Sequence, residues 1–167
     1  MPTNYISMIE AITAELVEFI ESRARALSRA DLERLILDLP LLRRRLTEIS
    51  SQTYPYLADQ VEFLSMVVEH EVAEGSRRPV PPAVGEAAFA LLYFQDSADL
   101  IPDSIPGLGL LDDATIVNMV LRRHEDAFRS YSHGEKLWWP APCFDIDELI
   151  SVVSSQRLAT VCRSAGG

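Results

Sequence analysis

The sequence predicts an all-α fold, a helical bundle of about six helices, on three observations. Apolar residues recur at helical spacing in one stretch after another, proline and glycine punctuate the intervals, and no alternating run of strand length occurs. From Asn4 to Leu27, Ile9, Ile12, Leu16, Phe19, Ile20 and Leu27 form an apolar face opposite Glu10, Glu18, Glu21, Arg23 and Arg25. Ser28 stands three residues before Asp31, a near capping box, opening a second helix whose Leu32, Leu35, Ile36, Leu39, Leu42, Leu46 and Ile49 continue a buried stripe. Pro40 is expected to kink or divide it, because proline lacks a backbone donor and crowds the preceding turn. Tyr54 and Pro55 mark the start of a third helix, which Leu57, Val61, Leu64, Val67, Val68 and Val72 carry to about Glu74.

Residues 75–82, "GSRRPVPP", break the pattern and read as a stiff Pro/Arg linker. The chain thus divides into an N-terminal amphipathic helical region, 1–74, and a C-terminal helical region, 83–167. The second region is expected to hold a short, very apolar helix from Ala83 to Phe94 and an Asp/Pro/Gly loop at 96–113. A helix from Asp112 to Tyr131 follows, and a last one from Asp145 to about Cys162.

Charge excludes some function classes. With 25 acidic and 15 basic side chains in 167 residues the net charge is −10, which disfavours nucleic acid and anionic membrane surfaces. Lys136 is the one lysine among the basic residues. No stretch has the length and apolarity of a membrane span, and the N-terminal residues, with Glu10, Glu15 and Glu18, do not resemble a secretory signal. Cys143 and Cys162 lack any metal or redox spacing, so two ordinary thiols in a reducing cytoplasm are expected.

The stretch "DLIPDSIPGLGLLDD", Asp99 to Asp113, is the most unusual in the chain. Pro102 and Pro106 push Ile101 and Ile105 toward extended geometry, and Gly107 and Gly109 permit a tight turn. Asp112 is placed to cap the helix that follows, with Asp113 in its first turn, where the helix dipole favours negative charge. Asp96, Asp99, Asp103, Asp112 and Asp113 would nevertheless crowd a small region unless they point apart, pair with arginine or share a cation. An oxygen-only ligand set of this kind suits Mg²⁺ or Ca²⁺, although the spacing is not that of an EF-hand loop.

"YFQDSADLIPDSIPGLGLLDDATIV" closely resembles the signature of the bacterial YkvA-like family of domains of unknown function, DUF1232. That signature is an apolar helix, then D-L-I-P-D-x-I-P-x-x-G-x-x-D-D, then another apolar helix. Asp99, Leu100, Ile101, Pro102, Asp103, Ile105, Pro106, Gly109, Asp112 and Asp113 sit on it, and the resemblance covers about Gly85 to Leu121. Where members often carry Ser-Pro before the first aspartate, this chain has Asp96, Ser97 and Ala98. The resemblance implies a location of interest and no reaction.

Other residues compete for attention. His70 stands one turn from Glu74 and His124 beside Glu125 and Asp126, so each is a candidate ligand, but solvated or core-edge histidines are the preferred reading. Arg43, Arg44 and Arg45 read as a solvated face within reach of Asp38 and Glu48. Trp138 and Trp139 either anchor a partner or pack a crossover segment. No nucleophile and base stand at a recognisable spacing, which speaks against an enzyme. The sequence therefore favours a non-catalytic interaction or scaffold module showing Ile101, Ile105, Leu108, Trp138 and Trp139 to a protein partner or to a second copy as a homodimer. The alternative is a divalent-metal protein or metal-dependent hydrolase built on the aspartates of the loop.

Overall fold

A computed structural model describes residues 3–48, 54, 56–75, 78–96 and 110–140, the side chains of 3–12 and 111 excepted. Among the described residues the chain is all α: α1 (Thr3–Arg25), α2 (Arg29–Leu46), α3 (Leu57–Ala73), α4 (Pro82–Gln95), α5 (Leu111–Arg123) and α6 (Glu125–Gly134). The helix expected from Asp145 and both cysteines lie outside them.

The α1–α2 corner follows from local chemistry. Arg23 and Arg25 occupy the last turn of α1, where the dipole favours cations. Ser28 and Asp31 then form the capping box: the Ser28 backbone N–H donates to Asp31 Oδ2 at 2.8 Å, and Ser28 Oγ accepts from the Asp31 N–H at 3.3 Å. These bonds to Ser28 hold the Asp31 carboxyl below its ordinary pKa. Beyond the cap, α2 buries Leu32, Leu35, Leu39, Leu42 and Leu46. It is not divided at Pro40, which stands on its exposed side. The ring meets solvent there, and the leucine stripe on the other side holds the helix together across the missing bond.

The arginine triplet does not form one solvated face. Successive helical side chains point in different directions, so Arg43 reaches α3, where its guanidinium donates to both Glu62 and Glu69 at 2.9–3.1 Å. Bonds to Glu69 and Glu62 raise the Arg43 pKa above its already high value. Arg45 reaches the end of α4, donating to the Phe94 carbonyl at 2.6 Å with its guanidinium over the Phe94 ring. Arg44 stays exposed.

The centre of the bundle is α4. Pro82 opens it at a position where a missing N–H costs nothing, and Val84 to Leu91 and Phe94 are all buried. A helix apolar on every side has to be surrounded, and α4 packs on α1, α3 and α5, with a smaller contact to α2. Gly85 faces α1 so closely that a Cβ would lie 3.4 Å from the Ala24 carbonyl oxygen. Gly75, at φ +61°, ends α3 in the left-handed geometry that glycine adopts without strain. Helices on the two sides of residues 75–82 share one core, in which Ile20, Leu39, Leu64, Leu91 and Val120 are all fully buried.

The helix expected from Asp112 to Tyr131 is two helices. It breaks at His124 (φ −117°, ψ 27°), which closes α5 and opens α6. The change of direction aims Phe128 and Tyr131 at Phe63 of α3, with ring centroids 5.9 Å away in each case and near-perpendicular planes.

Candidate functional site

Glu86 is the single charge in the apolar run Ala83–Phe94, and α4 carries it into the interior, where its side chain is 4% exposed. The break after α5 brings it partners. Arg123 approaches with Nε 3.1 Å from Oε2 and Nη2 3.2 Å from Oε1, and His124 Nε2 stands 3.0 Å from Oε2. Burial pushes the Glu86 carboxyl up, but His124 and Arg123 beside it outweigh that and leave the group below its ordinary value. Arg123 is raised, chiefly by its bonds to Glu86. Its Nη2 also reaches Glu21 of α1, whose other oxygen accepts from Arg25 Nη2 at 2.8 Å.

Glu86, Arg123 and His124 form one wall of a cleft of about 640 Å³. The end of α1, the start of α2, residues 78–82, the first turn of α4 and the α5–α6 break enclose it. Ser28 lines the cleft, but its hydroxyl donates to Asp31 Oδ2 at 2.6 Å and is committed to the cap of α2. The serine is therefore not poised as a nucleophile toward the His124–Glu86 pair.

A second centre lies at the head of α5, where the signature loop joins it. The N-cap position is Leu110, with no side-chain cap, so Asp112 does not cap α5. Asp112 and Asp113 both sit in the first turn and are buried, Asp113 to 1% exposure. Tyr93 of α4 donates its hydroxyl to Asp112 Oδ2 at 2.7 Å, a partner from another helix that the sequence did not indicate. Tyr54 is buried close by, and burial, then the charges of Asp112 and Asp113, push its pKa up.

Of the other aspartates, Asp96 is the exposed C-cap residue of α4, while Asp99 and Asp103 lie outside the described residues, as do Ile101, Ile105 and Leu108. Among the described residues no group of three or more His, Cys, Asp or Glu is placed to hold a metal ion. The two tryptophans part company. Trp139 packs edge-on against Phe63 at 5.5 Å, with the Arg129 guanidinium 5.2 Å above its ring, while Trp138 is 64% exposed. His70 lies 3.4 Å from Glu74, as its spacing implied, and 3.9 Å from Glu135.

Two features escaped the sequence reading. Glu86 carried a signal, a lone carboxylate with apolar neighbours on both sides, which in a buried helix must find a partner. Leu37 and Leu41, 79% and 70% exposed and one turn apart on α2, carried a weaker one: both fall off the stripe that Leu35, Leu39 and Leu42 define.

No helix among the described residues is long and apolar enough to cross a membrane. Neither a curated protein nor a solved structure matches the chain. Residues 83–119, from the start of α4 into α5 and including Glu86, Asp112 and Asp113, match the family model DUF1232, described as a protein of unknown function.

Proposed function

We propose that this protein is a non-catalytic helical interaction module and that the outer face of α2 docks a second copy of the chain. The observation that carries the reading is the exposure of Leu37 and Leu41, at 79% and 70%. Single exposed leucines are ordinary, but two stacked one turn apart, with exposed Pro40 between them, make a continuous apolar stripe. A stripe on one continuous helix can pair with itself: a two-fold axis crossing α2 near Leu39 sets Leu37 of one copy against Leu41 of the other. The stripe is small beside the roughly 800 Å² per partner of a standard interface, so the dimer is weak and concentration-dependent. The commitment of Ser28 to the cap of α2 and of Glu86 to Arg123 supports the non-catalytic half of the reading.

Sedimentation equilibrium tests it. The wild type should gain mass with concentration, while Leu37→Glu/Leu41→Glu should stay monomeric at an unchanged melting temperature. A wild type that is monomeric throughout, or a double variant that melts earlier because the chain itself covers this face, would contradict the proposal.

A second reading, a Mg²⁺ or Ca²⁺ site on Asp96, Asp99, Asp103, Asp112 and Asp113, is favoured by the burial of Asp112 and Asp113 side by side at the end of the loop. On that reading, chelator-treated protein melts higher as either cation is added, by the linkage of binding to the folded state. No shift with either cation would sink it.

A further inference from the structure

Two opposite charges on the outer face of α2 are left unmatched by the fold. Glu33 and Arg44 are both exposed, and among the described residues neither side chain makes a hydrogen bond or ion pair. The arginines on either side of Arg44 are committed elsewhere, Arg43 to Glu62 and Glu69 and Arg45 to the Phe94 carbonyl. Glu33 and Arg44 lie about 16.5 Å apart along the helix axis, too far to meet within one chain.

Their placement beside the leucines is regular. At 3.6 residues per turn, Glu33 stands about 40° to one side of Leu37, and Arg44 about 60° to that same side of Leu41. The midpoint of Glu33 and Arg44 falls within about half a residue of Leu39, which is also the midpoint of Leu37 and Leu41. A two-fold axis at that point keeps each residue on its own side of the stripe and reverses its position along it. The rotation that sets Leu37 against Leu41 therefore also sets Glu33 of each copy against Arg44 of the other. On the far side of the stripe the facing positions are Arg34 and Arg45, but Arg45 is turned back to Phe94, and Asp38 stands one turn from Arg34. A parallel alignment would instead oppose Glu33 to Glu33 and Arg44 to Arg44, and both contacts repel.

We propose that α2 meets its second copy antiparallel, and that two reciprocal ion pairs, Glu33 of each copy with Arg44 of the other, fix the register and select the chain itself as partner. The pairing rests on the docking of Leu37 and Leu41, and it adds the groups that orient the partner. Exposed pairs of this kind contribute more to orientation than to affinity.

Charge reversal tests it on the full chain, with self-association read by sedimentation equilibrium at low ionic strength. Glu33→Arg and Arg44→Glu each turn two attractive contacts into two repulsive ones, and each should weaken association about tenfold. Glu33→Arg/Arg44→Glu reverses both members of every pair and should return to within about twofold of the wild type. An equimolar mixture of the two single variants should associate as the wild type does, since each supplies the charges the other lacks. All variants should keep the wild-type melting temperature, because neither residue has a partner among the described residues. Single variants that associate as tightly as the wild type would overturn the pairing and leave the docking of Leu37 and Leu41 standing. A double variant no tighter than the single ones would overturn it too, because that is the behaviour of a parallel register. A wild type that stays monomeric at every concentration would overturn the docking itself and this pairing with it.

Discussion

Glu86→Ala is expected to destabilise the protein by about 3 kcal/mol, the low end of the cost of removing one partner from a buried ion pair. The low end applies because Arg123 keeps Glu21 when Glu86 is gone, whereas His124 loses its neighbour at 3.0 Å. The same substitution should reshape the acid limb of the stability curve. The Glu86 pKa is depressed in the folded protein, so between its folded and unfolded values the unfolded chain binds more protons. The stabilisation from this group is present in full above its ordinary value of 4.5 and is lost as pH falls through the folded value. Urea midpoints measured from neutral pH to pH 3 or so should fall less steeply in Glu86→Ala than in the wild type. Parallel acid limbs would show that Glu86 is not held as an ionised partner.

Phe63→Ala should cost about 3–5 kcal/mol, as large aromatic truncations in cores do. Phe63 is 1% exposed and meets Phe128, Tyr131 and Trp139 in edge-on contacts at 5.5–5.9 Å, each worth about 0.5–1.5 kcal/mol beyond the area it buries. These contacts attach α6 and the segment after it to α3. A local readout separates general from regional loss: Trp139 fluorescence should shift to the red in folded Phe63→Ala, as water reaches a ring that Phe63 now covers. A loss below about 1 kcal/mol with an unshifted emission would mean that α6 does not rest on this ring.

What the sequence disclosed follows from which forces are local. The α1–α2 corner was readable because a capping box lies within four residues, and α4 because a run of apolar residues on every face has to be surrounded. The course of α2 through Pro40 was not, since it depends on which side of the helix the proline falls relative to the leucine stripe. The break at His124 was equally hidden: "VLRRHEDAF" has no glycine or proline, and the change of direction is set by partners distant in sequence, Glu86 and Phe63. At the candidate sites, proximity along the chain misled. Asp112 reads as a helix cap beside its own helix, yet it is taken by Tyr93 of α4, and Arg43 reads as solvated beside Asp38, yet it is taken by Glu62 and Glu69 of α3. Glu86 shows the same logic: its neighbours in sequence are apolar, and its partners come from α5 and the break that follows.

The central functional claim is that α2 meets a second copy of itself through Leu37 and Leu41. Half-filtered NOE spectroscopy on an equimolar mixture of ¹³C-methyl-labelled and unlabelled protein observes that contact directly. The account predicts intermolecular cross-peaks between the Leu37 methyls of one copy and Leu41 of the other, growing with protein concentration. Spectra free of intermolecular cross-peaks at Leu37 and Leu41, at concentrations where the mass measured by sedimentation has risen, would contradict it.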